Sequence, residues 1–126
     1  MASELRVNTL KDASGNNSVA VSTVAEGTNK CWVNHDQNIT ETTNDSFNTA
    51  SITDVSSGRA KWNLTNGFSN TNGTMHGSTG RTSTPTFSGG NGRLQTTASQ
   101  FEIFTSDPSG SQADSEWGAA GMGDLA

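Results

Sequence analysis

Hydrophobic positions in this chain alternate over short distances and then stop. From residue 31 to 36, Cys31, Val33 and His35 fall on one side of an extended strand, with Trp32 and Asn34 on the other. The same period runs through Phe47-Asn-Thr-Ala-Ser-Ile-Thr-Asp-Val55, breaks at Ser56-Ser57-Gly58 and resumes in Arg59-Ala-Lys-Trp-Asn-Leu-Thr65. A three-residue hairpin loop places Gly at its left-handed position. With Ser56, Ser57 and Gly58 as that loop, Val55 opposes Arg59, Thr53 opposes Lys61, Ile52 opposes Trp62, Ser51 opposes Asn63 and Ala50 opposes Leu64. This register sets apolar against apolar and polar against polar, and a slip of one residue destroys both matches. Gln100–Thr105 predicts another strand, with Phe101 and Ile103 on one face, and Ser115–Met122 a last one around Trp117.

Elsewhere the pattern is thinner. Residues 4–10 place Leu5, Val7 and Thr9 on one face, ahead of a turn cluster at 12–17. Val19 and Val21 start a short strand that fades at Glu26-Gly27. Glycines 67, 73, 77, 80, 89, 90 and 92 break up 66–95, which is expected to be loop-rich. Short strands are expected there near 84–88 and 93–97, with Phe68, Met75, Phe87 and Leu94 as anchors. Asp107-Pro108-Ser109-Gly110 has Pro and Gly at the second and fourth positions of a β-turn. No window repeats apolar residues at helical spacing over three turns. The expected fold is therefore all-β: a small antiparallel β-sandwich-like domain with an extended N-terminal strand and long polar loops. The expected division is an N-terminal attachment segment, 1–29, and a body, 30–126. Its expected core is Val33, Phe47, Ile52, Trp62, Leu64, Phe101 and Ile103.

Composition adds a constraint. Ser, Thr, Asn and Gly make up 62 of the 126 residues, whereas Leu, Ile, Val and Phe number 19. A net charge of −5 is too small to keep the chain open by self-repulsion. Ordering each residue costs roughly 1–2 kcal/mol of backbone entropy, and so thin a core calls for outside help. The single Cys31 excludes a disulfide within the chain and suits a protein made in a reducing cytoplasm. Self-association is the remaining source of stability, and Leu5, Val7, Leu10, Trp117 and Met122 are its expected contacts.

Other partners are excluded more simply. The seven Lys and Arg are scattered and form no patch for nucleic acid. No apolar run approaches the roughly 20 residues of a membrane-spanning helix. Met1-Ala2-Ser3-Glu4 is expected to begin neither a signal peptide nor a lipidation motif.

Chemistry finds little to stand on. Metal centres need three or four converging ligands. Cys31 and His35 lie four strand positions apart, roughly 13 Å, and His76 is distant in sequence. A Cys31–His35 dyad has Asp36 beside it, the wrong sign for stabilising a thiolate. Gly77-Ser78-Thr79-Gly80 lacks the strand-to-helix context of a nucleophile elbow. Asp107, Asp114 and Glu116 read as a solvated turn, and glycines 89, 90 and 92 lack the Lys-Ser/Thr of a phosphate loop. No enzyme activity, metal or cofactor is expected. Trp62 and Trp117 are candidate sugar platforms, but Ile52 gives Trp62 a core partner, and Trp117 is the better inter-subunit contact.

Leu5-Arg-Val-Asn-Thr-Leu-Lys-Asp-Ala-Ser-Gly15 resembles a short N-terminal segment of tail-fibre and other virion proteins of marine bacteriophages. Cys31-Trp-Val-Asn-His35, Asp45-Ser-Phe-Asn-Thr-Ala-Ser-Ile-Thr-Asp54 and Gly58-Arg-Ala-Lys-Trp-Asn-Leu-Thr65 resemble a second block of that group. Thr97-Ala-Ser-Gln-Phe-Glu-Ile-Phe-Thr105 and Asp114-Ser-Glu-Trp117 are similar to its closing strand pair. The chain departs from the group at His35, where an aromatic is usual, and at Asp36-Gln37, which replaces an Asp-Gly turn. The resemblance implies a non-catalytic virion structural protein, assembled in the host cytoplasm, in a tail fibre or comparable tail appendage. Its implied partners are copies of itself, as a trimer or another cyclic homo-oligomer, and other virion proteins. The alternatives are a capsid decoration protein and, from another class, a module that binds host-surface glycan through an exposed Trp62 or Trp117.

Overall fold

The computed structural model describes residues 6–15, 17–38, 41–80, 92–107 and 109–126. Among them the order is β1 (Thr9–Lys11), β2 (Ser18–Ala20), α1 (Val21–Gly27), β3 (Cys31–Asp36), β4 (Thr42–Phe47) and β5 (Thr49–Ser56). There follow β6 (Arg59–Leu64), β7 (Thr74–Gly80), β8 (Gly92–Thr97), β9 (Gln100–Phe104) and β10 (Glu116–Met122). β1 and β2 form a small hairpin. The other strands build two four-stranded antiparallel sheets, ordered β4-β3-β10-β7 and β5-β6-β9-β8. The protein is all-β, in the sandwich-like form its alternation predicts.

The core lies between the two sheets. β3 supplies Cys31 and Val33, β10 supplies Trp117 and Ala119, and β7 supplies Met75. From the facing sheet come Ala60, Trp62 and Leu64 of β6 and Phe101 and Ile103 of β9. Large and small residues interlock across the gap. Gly121 on the inner side of β10 leaves room for the Phe101 ring, and a Cβ there would come within 2.7 Å of Cys31 Sγ. Phe68 closes this end, edge-on to Phe101 at 5.8 Å. The indole of Trp62 is fully buried and donates to Thr49 Oγ1 at 2.9 Å, the partner such a group needs in a core.

The hairpin of β5 and β6 shows how closely alternation fixes register. Ser51 faces Asn63, Ile52 faces Trp62 and Thr53 faces Lys61, as expected. Both ends differ. A bulge at Val55 makes Ser56 the partner of Arg59, and another at Ala50 makes Thr49 the partner of Leu64. Gly58 takes the left-handed conformation, φ +68°.

Phe47 is a correction. The sequence placed it in the core as the start of one long strand with Val55, but it is 55% exposed. The strand breaks at Asn48, whose φ is +56°. Asn tolerates that region better than most residues. The Asn48 side chain pins the corner: Nδ2 donates to the carbonyls of Lys30 and Asn66, and Oδ1 accepts from the Asn66 amide. The chain changes sheets there, so Phe47 belongs to the outer face of the other layer.

Two further regions differ in part. The strand expected from Val21 is the helix α1, a seven-residue element with no buried residue; Val21 and Val24, three apart, share one side of it. In 66–95 the strand expected near 93–97 is β8, and the expected anchors Phe68 and Met75 are buried, but β7 stands where only loop was expected. Phe87 and the strand expected at 84–88 lie outside the described residues.

Candidate functional site

The expected sites divide between the core and the surface. Val33, Trp62, Leu64, Phe101 and Ile103 are buried, and Ile52 is half-buried against them. Trp117, expected at a subunit contact, is instead a core residue at 1% exposure, so neither it nor Trp62 can offer a face to a sugar. The physical reason is parity: Trp117 shares the inner side of β10 with Ala119 and Gly121. Met122 is half-exposed on the outer side of that strand, opposite Thr74. Val7 and Leu10 are exposed, and Leu5 lies outside the described residues.

The groups able to do chemistry are held in quiet settings. Cys31 is fully buried and burial pushes its thiol up to about 11, against a backbone hydrogen bond from Gly121. It is a neutral core residue. His35 is buried as well, and burial lowers its pKa, with the Asp36 charge opposing. Its ring lies 5.3 Å from that of Trp117, and Nδ1 meets Thr43 Oγ1 at 3.2 Å. His76 stands on β7, separated from β3 by β10. Among the described residues no group of three or more His, Cys, Asp or Glu could hold a metal ion.

A polar layer closes one end of the core. His35 and Gln37 lie inward beside Trp117 and Ser115. Gln37 Nε2 donates to Asp54 Oδ1 at 3.0 Å, joining the two sheets. Gly58 is buried under the segment from Thr105 to Asp114: its amide donates to Asp114 Oδ1 at 2.6 Å and its carbonyl accepts from Thr105. Glu41 stands near Asp54 and Asp114. Desolvation first, and then these two charges, raise its pKa. Asp107 accepts from Ser109 and Ser111 and organises the turn ending at Gly110, which keeps its carboxyl below the usual range. The sequence placed a turn there, and these bonds are structural.

Two surfaces remain. One is the N-terminal arm. No described side chain from residue 6 to 29 is buried, and Val7, Leu10 and Val19 are exposed. Lys30 ties its end down by donating to the Ala25 carbonyl and Thr28 Oγ1. The other is the outer face of the β4-β3-β10-β7 sheet. There Phe47, Trp32, Ala120 and His76 form one row across the strands, and Asp45, Asn34, Gly118 and Ser78 the next.

No protein-family model matches the chain, and no curated protein or solved structure does either.

Proposed function

We propose that this chain is a structural component of a bacteriophage particle, a self-associating part of a tail fibre or tail appendage. The likeness of its N-terminal segment and its 31–65 block to marine-phage virion proteins motivates the particle. The observation that supports an assembly role is the arm. A hairpin and a short helix that bury none of their described side chains leave Val7, Leu10 and Val19 in water. Each strand of the hairpin is paired on one side only. Such a ribbon can extend a neighbour's sheet through its open backbone groups, with the apolar side chains adding contact area. The edge strands β4, β7, β5 and β8 are the acceptors within another copy. A closed ring of such contacts gives cyclic symmetry, a trimer for a fibre. Geometry, not catalysis, would be its mechanism.

Sedimentation velocity of the full chain tests this. The wild type should self-associate with rising concentration. Leu10→Asp with Val19→Asp should be monomeric, with unchanged circular dichroism and melting. A wild-type chain that stays monomeric throughout overturns the self-association. Antibody to the chain should label tail appendages in electron micrographs of the particles, and label absent from the particles overturns the location.

A further inference from the structure

The polar layer at the end of the core carries more hydrogen-bonding capacity than the chain itself uses. Among the described residues, four buried side-chain atoms meet no hydrogen-bonding partner within the chain: His35 Nε2, Gln37 Oε1, Ser115 Oγ and Trp117 Nε1. All four belong to that layer. Trp117 is the cross-strand partner of His35, and directly beyond the paired ends of β3 and β10 the Gln37 amide donates to the Ser115 carbonyl. Residues two apart on a strand share a face, so the pairs 35–117 and 37–115 make a two-by-two patch turned inward. None of the four residues is more than 9% exposed. Orphaned buried groups are few in folded proteins, and each calls for a cause. Four in one patch call for a shared one.

What each atom can do follows from what its neighbours already take. Gln37 Nε2 donates to Asp54 Oδ1 and to the Arg59 carbonyl, at 3.0 and 3.4 Å. A carboxylate and a carbonyl only accept, so the amide cannot turn over, and Oε1 is left as an acceptor. His35 Nδ1 is engaged with Thr43 Oγ1 on β4, which leaves Nε2 directed away from that strand. Trp117 Nε1 can only donate, whereas Ser115 Oγ can donate or accept. The patch thus holds an obligate donor, an obligate acceptor and two groups of adjustable role. Its occupant must both give and take hydrogen bonds. A metal cation would meet the indole N–H, and an anion would meet the nearby Asp54 carboxylate. A larger hydroxyl compound has no way into a patch this buried. Water meets every requirement. Internal waters make about three hydrogen bonds to such groups and are costly to remove, whereas a buried group left unpaired forfeits its solvation outright.

We propose that this patch is a binding site for internal water, in which a single molecule bridges at least three of His35 Nε2, Gln37 Oε1, Ser115 Oγ and Trp117 Nε1. The water ties β3 to β10 at the polar end of the core, and Gln37 passes the tie on to Asp54 in the facing sheet. The proposal does not rest on the assembly reading. Magnetic cross-relaxation between water and the isotope-labelled full chain tests it. The Trp117 indole N–H should give a cross-peak to water, with opposite signs in laboratory-frame and rotating-frame spectra, the mark of a long-lived contact rather than of proton exchange. Ser115→Ala removes the one hydroxyl of the patch that could relay such a signal by exchange, and the cross-peak should persist in it. Crystals of the full chain supply a second measurement that needs no variant. A solvent oxygen should lie within hydrogen-bonding distance of at least three of the four atoms. Absence of the cross-peak in the wild type overturns the proposal, as does its loss in Ser115→Ala. Crystals in which the four groups bond directly to one another, or share an ion in place of water, overturn it too.

Discussion

Trp62 and Phe47 are both aromatic and both sit on strands, yet they differ in every consequence. Trp62 packs 5.6 Å from Phe101 and bonds to Thr49 in the middle of the core. Trp62→Ala should cost about 3–5 kcal/mol. Phe47→Ala, at an exposed position, should stay within about 0.5 kcal/mol of wild type. Urea titrations of the two variants check this, and equal losses would contradict the burial assigned to them. His35 makes stability depend on pH. Its pKa is lower in the folded chain than the unfolded value of 6.5, with burial the main cause. The unfolded state therefore binds more protons as pH falls, and folding weakens. Stability should be fully present above pH 6.5 and decline as pH drops toward the lower folded value. His35→Phe should flatten that part of a plot of melting temperature against pH. Asp107, whose pKa is lowered from 3.8 by its hydrogen bonds, adds a similar loss only at more acid pH, so the two contributions separate.

At the level of the element, alternation was informative wherever one face had to be dry. The β5–β6 register from Ser51 to Thr53 and the inward set Cys31, Val33 and His35 followed from it directly. The bulges did not, because the two-residue period carries no mark of an inserted residue. Nor did the corner at Asn48, since Asn is as ordinary in a polar strand as in a left-handed turn, and Phe47 keeps the same parity either way. The outer face of the β4-β3-β10-β7 sheet was half legible. Alternation put Trp32 outward, but its neighbours on that face depend on β10 lying beside β3, a pairing between residues eighty to ninety apart in sequence. Gly58 is the element-scale test. It has φ +68°, and a Cβ there would strike the backbone at Thr105 and Ala113. Strain and overpacking together predict that Gly58→Ala costs about 3 kcal/mol or more, by lifting the hairpin tip off the 105–114 segment. A melting temperature within a degree or so of wild type would show that the tip is not clamped.

On the scale of the whole molecule, the described chain has a protected body and an unprotected arm. Core residues come from β3, β6, β7, β9 and β10, and none from β1, β2 or α1. Brief trypsin treatment should therefore cut after Arg6 or Lys11 before it cuts after Arg59 or Lys61, as mass spectrometry of the digest would show. Early cleavage at Lys61 would contradict the division. Among the described residues four of the eleven buried core residues are aromatic, and Gly121 leaves the space that Phe101 and Cys31 occupy.

β10 is the last of the described strands in chain order, yet it lies between β3 and β7 in the middle of its sheet. Neither neighbour can complete its ladder until residue 122 has cleared the ribosome. Until then the nascent polypeptide displays unpaired β edges, a usual route to aggregation. Strands rich in Thr, Ser and Asn are far less sticky in that interval than Val- and Ile-rich ones. The same hydroxyl-laden composition lowers the aggregation hazard of so late-closing a topology.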